Sequence, residues 1–330
     1  MNFSLIICTY NRRNAIETLM NSIVNQSLYP NQIVIVDGSL NDETKIYFET
    51  ENFKNLDYYL VDASTRGLTK QRNFGISKVN DTSEVVCFLD DDTILESNYF
   101  EELIKTYTIY PNAYGVGGYI SNEIKWEPNS ENCKKNKNYF TFDGFYRNED
   151  KRFVLRKAIG LDSDVFPGFS PLFSHGRSIS FLPPSGKTYK VEQLMGGVSS
   201  FKKEVLNTHK FSTYFEGYGL YEDAEFTIRI SKLGQLYLNT NAKLEHHHDA
   251  SGRPNRYNYG KMVVRNGWYV WRTKNPNPTF KHAFKWHCIT ILLTLIRIIN
   301  ILTTKKHKEA FTESLGRTVG WFSIIFNKPM

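Results

Sequence analysis

The 330-residue chain reads as an α/β protein with a mostly parallel central sheet flanked by helices and a C-terminal helical extension. Three features predict this. Short apolar runs of strand length alternate with segments of helical period through the first third of the sequence. Each of those runs ends abruptly in polar residues. Residues 251–330 then change character: they carry 14 Lys/Arg against 2 Asp/Glu, a balance of +12 in a chain of net +7, so residues 1–250 sum to −5.

Asn2–Cys8 is the first strand. Asn14 with Glu17 three residues on has the form of a capping box, and Ile16, Leu19, Met20 and Ile23 recur at helical spacing. Gln32–Val36 is a second strand, Asp42–Glu51 a helix, Asp57–Val61 a third strand and Leu68–Ser77 a helix. Glu84–Leu89 is a fourth strand, and the helix Asn98–Tyr110 stops before Pro111. Residues 121–190 show weak periodicity. Asn129–Asn138 has the composition of a surface loop, and Ser170–Thr188, with Pro183-Pro184, that of a long loop or mobile flap. Order resumes at Tyr189–Ser200. Residues 222–233 follow a helical pattern with Gly234 as C-cap, and Gln235–Leu238 and Ala242–Leu244 are two short strands.

Parallel sheets bind ligands beyond the carboxyl ends of their strands, so the residues following each strand are the functional candidates. They are Thr9, Tyr10, Asn11 and Arg12, then Asp37-Gly38-Ser39, then Asp62, Ser64, Arg66 and Gly67, then Asp90, Asp91 and Asp92. Three adjacent carboxylates repel one another. A divalent cation removes that cost, and Mg²⁺ or Mn²⁺ typically takes one or two carboxylates plus phosphate oxygens. Asp90 and Asp92, two apart, face one way from an extended segment; the competing explanation is an exposed turn with a capping Asp. Arg66, Lys70 and Arg72 lie where a loop enters a helix. There they could meet a diphosphate with help from the helix N-terminus, or simply form a solvated helix face.

The motif series resembles the family-2 glycosyltransferases of the GT-A fold. It consists of Ser4 through Arg12, Ile35-Val-Asp37-Gly-Ser39, Gly67 through Gly75, Phe88 through Asp92, Gly196 through Phe201, and Tyr221 through Glu225, spread over residues 1–270. The resemblance implies an inverting, nucleotide-sugar-dependent enzyme with a Mn²⁺ or Mg²⁺ cofactor. In it, Asp37 would hold the nucleobase and Thr9, Tyr10, Asn11 and Arg12 would line the nucleoside pocket. Asp90 would contact the ribose or the metal, with Asp91 beside it on the donor side, and Asp92 would bind the metal. Arg72 would approach the diphosphate. Glu222 and Asp223 would open a helix near the acceptor as the catalytic pair, Asp223 being the general base. Of the run His246-His247-His248, either His246 or His248 would close the metal site. Tyr259 through Tyr269 would contribute to the acceptor side. The implied layout is a catalytic domain at 1–270, with a nucleotide-sugar-binding half at 1–120 and an acceptor-binding half at 121–270, and a basic amphipathic extension at 271–330.

Within that extension Cys288–Thr303 is almost wholly apolar, shorter than the ~20 residues a bilayer span needs. Thr290, Thr294, Arg297 and Asn300 form one narrow polar stripe on it. Flanking Lys281, Lys285, Lys305, Lys306 and Lys308 could meet anionic headgroups, with Trp286, Trp321 and Phe322 at the interface. A peripheral membrane contact through 281–326 competes with packing on the protein or a dimer contact. The four cysteines, Cys8, Cys87, Cys133 and Cys288, include no C-x-x-C pair, and the N-terminus lacks the form of a signal peptide. The expected location is therefore cytoplasmic, on or near the inner face of the membrane. The expected partners are a nucleotide diphosphate sugar and a glycan or lipid-linked glycan acceptor in polysaccharide, lipopolysaccharide or glycan synthesis. No nucleic-acid partner is expected, because the apolar helix interrupts the basic tail. A nucleotidyltransferase would carry a glycine-rich loop after the first strand, which Thr9 through Arg12 does not provide. An inactive binding relative would lack the acidic residues present here.

Overall fold

The computed structural model describes residues 1–129, 138–248 and 254–329. Two compact units divide them. One comprises 1–126 with 182–252, the other 127–181 with 253–330. The boundary expected at 270/271 falls instead inside the helix Arg256–Lys274. Most of the expected loop 129–138, with Cys133, lies outside the described residues.

The first unit is built on β1 (Phe3–Thr9), β2 (Gln32–Asp37), β3 (Leu56–Leu60), β4 (Val85–Asp90), β5 (Thr93–Leu95), β6 (Ala113–Ile120), β10 (Thr188–Val191), β11 (Val198–Lys202) and β12 (Gln235–His246). Their order is β10-β12-β6-β11-β4-β1-β2-β3, with β5 paired to β12. β3, β2, β1 and β4 run parallel, as do β6 and β12, while β10 and β11 insert antiparallel. The sheet is thus mostly parallel, as the strand–helix alternation predicts. β1, β2 and β4 are buried along nearly their whole length, the pattern of strands covered on both faces. The cover includes α1 (Arg13–Val24), α2 (Glu43–Thr50), α3 (Leu68–Ile76), α4 (Tyr99–Ile109), α6 (Lys203–Thr208) and α7 (Glu222–Ser231).

α1 begins at Arg13, Asn14 sits inside its first turn, and no side chain caps it. The polar loop before it is braced instead by the sheet edge, with Asn11 N–H donating to Ser39 Oγ at 2.8 Å. The two short strands expected after Gly234 are one strand, β12, whose pairing with β6 breaks register between Leu238 and Lys243. Residues 170–188 lack long elements but are not a solvent flap. Phe173, Ile179, Phe181 and Leu182 are buried, with Ser170, Ser174 and Arg177.

The second unit holds β7 (Glu127–Pro128), β8 (Tyr139–Phe142), β9 (Phe145–Asn148), α5 (Lys151–Ala158), α8 (Arg256–Lys274), α9 (Phe280–Thr303) and α10 (His307–Phe326). α9 is 24 residues long, so the length argument against a span fails. Lys281, Lys285 and the histidines hid its first two turns from a hydropathy reading. It is the one helix among the described residues long and apolar enough to cross a membrane. The expected polar stripe is not solvent-facing: Thr294 is buried and Arg297 pairs with Glu313 of α10 at 2.8 Å. Trp286 is not interfacial either, since it packs with Trp268, Trp271 and Val264. Trp321 joins that cluster, its indole N–H donating to His287 Nδ1 at 3.1 Å, while Phe322 is exposed.

Gly75 sets how closely α3 approaches β1, because a Cβ there would lie 2.7 Å from Ile6 Cγ2. Gly75→Ala should therefore destabilise the chain by about 1–3 kcal/mol through overpacking. Urea unfolding measures this, and an unchanged midpoint would show that the helix can shift freely.

Candidate active site

Strand register brings the predicted residues to one edge. Thr9 lies opposite Asp37 and Cys8 opposite Asp90, so the ends of β1, β2 and β4 are level. The three consecutive aspartates then diverge, as alternate residues of an extended segment must. Asp91 turns inward and is buried. Thr9 Oγ1 donates to its Oδ2 at 2.7 Å and Arg12 Nη1 to its Oδ1 at 3.0 Å. Burial raises its pKa to about 6, with Arg12 and Thr9 opposing the rise. Asp91 thus ties the β1 loop to the β4 loop. Arg12 also reaches Asp92 at 3.6 Å.

Asp37 is fully buried. Its Oδ1 accepts from Ser39 N–H at 2.7 Å and its Oδ2 from the Tyr58 hydroxyl at 2.7 Å. It is therefore not presented openly at the edge, and Tyr58, which the sequence did not single out, closes it from β3. Tyr10 is exposed, with the Arg66 guanidinium 5.8 Å from its ring centroid. Arg66 Nε donates to the Gly38 carbonyl at 2.7 Å. Lys70 is part-exposed and pairs with Glu216 at 3.1 Å.

Arg72 sits at the centre. Its side chain is 3% exposed, and its guanidinium contacts Glu222 through Nη1 and Asp90 Oδ1 through Nη2 at 3.2 Å, with the Phe211 ring 5.3 Å away. Burial alone would lower its pKa, but Glu222 and Asp90 outweigh it and hold the charge firmly. The guanidinium is thus engaged by the two carboxyl groups. Glu222 is buried, which raises its pKa to about 8 against the pull of Arg72. Its Oε2 is buried with no hydrogen-bond partner. Asp223 is half-buried, and its pKa is raised by desolvation although Ala224 N–H (2.7 Å) and Gly196 N–H (3.2 Å) donate to it. Tyr221, just before this pair, takes a left-handed φ of 70°, a strained backbone for a bulky residue. Glu225 and Arg229 pair along α7 as its i,i+4 spacing predicts.

The Gly196-Gly197 dipeptide has a steric reason. A Cβ on Gly197 would collide with the Asp90 carboxyl, and one on Gly196 with the Arg72 guanidinium and Glu222. Only glycines let the chain entering β11 pass so close to the carboxylates.

The β5–β12 pairing sets His246 opposite Thr93, and His247 N–H donates to the Asp92 carbonyl at 2.8 Å. His246 Nε2 thereby lies 3.0 Å from Asp92 Oδ1. Asp90, Asp92 and His246 each offer a ligand atom within 4.8 Å of the others. Two carboxylates and one imidazole suit Mn²⁺ or Mg²⁺ better than a soft metal. Burial lowers the His246 pKa, but Asp92 and Glu123 outweigh it and raise it to about 10. Positive charge between these carboxylates is thus strongly favoured, the condition a bound dication would meet. His248 lies outside this group and contacts Glu123 at 2.9 Å.

Residues 4–167 match the family model described as glycosyl transferase family 2. Among curated proteins, the chain is 29% identical over 125 residues to a glucosyl-dolichyl phosphate glucuronosyltransferase of Haloferax volcanii, covering 36% of this chain and 38% of that protein. It is 28% identical over 163 residues to a GalNAc(5)-diNAcBac-PP-undecaprenol beta-1,3-glucosyltransferase of Campylobacter jejuni, covering 46% and 52%. The chain thus spans from about two fifths to one half of these relatives. The fold resembles that of GalNAc-T7 solved with UDP, GalNAc and Mn²⁺, with TM-score 0.53 at 13% identity over 82% of this chain and 49% of that one.

Above pH 8, where Glu222 is ionised, Arg72→Ala should cost about 3–5 kcal/mol, because it strands that buried carboxylate without its counter-charge. Denaturant unfolding reads this, and a loss below 1 kcal/mol would mean that Glu222 is protonated and indifferent to Arg72. Glu222 also makes stability pH-dependent. Its folded pKa lies above the ordinary 4.5, so its contribution is present at low pH and is lost as pH rises toward 8. Glu222→Gln should flatten the melting temperature between pH 5 and 8, and an unchanged profile would contradict the shift.

Proposed function

The chain belongs to glycosyl transferase family 2, and we propose that it transfers a sugar from a nucleoside diphosphate donor to an acceptor hydroxyl with inversion at the anomeric carbon. The observation that carries this reading is the Asp90–Asp92–His246 group at the carboxyl edge of the sheet, with Glu222-Asp223 linked to it through Arg72. Asp90, Asp92 and His246 would hold Mn²⁺ or Mg²⁺, which would neutralise the leaving diphosphate.

The chain's own residues divide the remaining work. Exposed Tyr10 offers a ring face to the nucleobase, while Thr9, Asn11 and Arg12 shape the loop beneath it. Asp37, sealed by Tyr58, would reach the base only after a local shift. Arg66, Lys70 and the N-terminus of α3 supply positive charge for the diphosphate. Arg72 is a positioning residue that fixes Asp90 and Glu222. Asp223 is the general base: its raised pKa improves its proton affinity, and its two backbone N–H bonds aim the carboxylate. It would take the acceptor hydroxyl's proton as that oxygen attacks from the face opposite the diphosphate.

The relatives' names point to lipid-linked glycans, and the second unit suits such an acceptor. Ile291, Leu295, Ile298 and Leu302 of α9 and Phe311, Leu315, Val319 and Phe322 of α10 are exposed, with Lys281, Lys305, Lys306 and Lys308 at the helix ends. This apolar surface with basic margins fits an anionic leaflet.

Purified protein with UDP-, GDP- and dTDP-sugars should release one nucleoside diphosphate in Mn²⁺ or Mg²⁺ and none in EDTA or in Asp92→Ala. No release from any of them would count against a transferase. Asp223→Asn should lower transfer about 10²–10⁴-fold while donor affinity is retained. The wild-type rate should fall on acidification at a pH above the ordinary aspartate range, and an acid limb at or below that range would remove Asp223 as base. Vesicles rich in anionic lipid should sediment the protein, neutral vesicles less, and Leu295→Glu with Ile298→Glu should release it. Equal absence from both vesicle types would overturn the membrane contact.

A further inference from the structure

His246 has a second set of neighbours, on the side away from Asp92. Its Nδ1 lies 3.2 Å from Glu123 Oε1, and the same oxygen lies 2.9 Å from His248 Nε2. Glu123, His246 and His248 each offer a ligand atom within 4.8 Å of the others. With metal–ligand bonds of about 2.0–2.1 Å, the edge of a tetrahedral zinc site is roughly 3.3 Å, close to these separations before any metal is added. The backbone presets the arrangement. Asn122 Oδ1 accepts from His246 N–H at 3.0 Å, Asn122 Nδ2 donates to the His246 carbonyl at 3.1 Å, and Ser121 N–H donates to the Leu244 carbonyl at 2.9 Å. His246 and His248, two apart in extended chain, face one way, while His247 pairs with Glu245 at 2.8 Å. The His248 side chain is 54% exposed, leaving an open side for a fourth ligand.

We propose that Glu123, His246 Nδ1 and His248 Nε2 form a second, transition-metal site of Zn²⁺ type, sharing the His246 ring with the donor-cation site through its opposite nitrogen. Two imidazoles and one carboxylate select zinc, cobalt or nickel over magnesium or manganese. The sharing has a consequence, which rests on the donor-cation reading given above. A neutral imidazole has one lone pair and one N–H. When Nε2 ligates beside Asp92, Nδ1–H donates to Glu123. When Nδ1 ligates zinc, the proton sits on Nε2 and donates to Asp92, so the ring is withdrawn from the donor cation. Both metals together would require loss of the second ring proton. Zinc is therefore a competitor built into the site, and it lowers metal-dependent turnover without occupying the donor pocket.

The test uses the full chain stripped with EDTA, titrated with Zn²⁺ by calorimetry and with Co²⁺ by visible absorption. One equivalent should bind, Co²⁺ should give the intense bands of a tetrahedral centre, and His248→Ala or Glu123→Ala should weaken binding at least tenfold. Asp92→Ala should leave zinc binding intact while removing UDP–Mn²⁺ binding, so failure of the donor reading and failure of this site are told apart. His247→Ala should bind as the wild type does. Equal weakening in His247→Ala would show chelation by the histidine run alone. That result, zinc binding lost in Asp92→Ala but kept in His248→Ala, or an octahedral Co²⁺ spectrum would each overturn the site.

Discussion

The candidate site depends on one buried cation. Arg72 stands between Asp90, 18 residues on, and Glu222, 150 residues on, and at 3% exposure it gains little from water. Such a guanidinium is tolerable because two carboxyl groups meet it, buried Glu222 on one side and part-exposed Asp90 on the other. Its neighbours follow from that constraint. Gly75 brings α3 close enough to β1 to carry Arg72 under the strand ends. Gly196 and Gly197 remove the side chains that would occupy the carboxylates' space. Phe211, stacked on Phe226, covers the guanidinium face. Asp92 and Asp223 stand nearby as well, Asp92 with Arg12 and His246 beside it. A donor bringing a dication and a diphosphate would complete the charge pattern at this edge.

Much of this was legible from sequence, in a way that has a physical basis. Apolar runs of strand length ending in Asp37 and Asp90 place carboxylates at the sheet edge, because side-chain burial dictates where a strand stops. The proximity of His246 to Asp92 followed from family resemblance alone, since the pairing of β5 with β12 joins residues far apart in the chain. The orientation of each aspartate was not legible. Asp91 and Asp92 have the same chemistry and adjacent numbers, yet alternation sends one into the Thr9–Arg12 bonds and the other toward His246. Nor could Asp37 be seen to be sealed, because Tyr58 lies on a strand whose burial is only partial. The capping-box spacing at Asn14 misled because the helix begins two residues earlier, at Arg13, just after the loop that the Ser39 and Asn11 contacts fix.

The C-terminal region was misjudged for a related reason. Hydropathy sees composition and not partners. Lys281, Lys285 and His287 break the apolar run, so it reads as starting at Cys288, although the indoles of Trp268, Trp271 and Trp286 hold the helix from further back. Further along, Arg297 of the narrow polar stripe is paired by Glu313, which Arg317 also contacts. Pairing of the polar stripe inward leaves the apolar residues outward, the inverse of an ordinary surface helix.

The central claim is that Asp90, Asp92 and His246 hold the donor's cation. Diffraction at the manganese edge from crystals grown with Mn²⁺ and a nucleoside diphosphate tests it most directly. The account predicts one anomalous peak within coordination distance of Asp92 and His246, with diphosphate oxygens completing the shell. A diphosphate bound at this edge without such a peak, or a peak ligated by neither Asp90 nor Asp92, would contradict it.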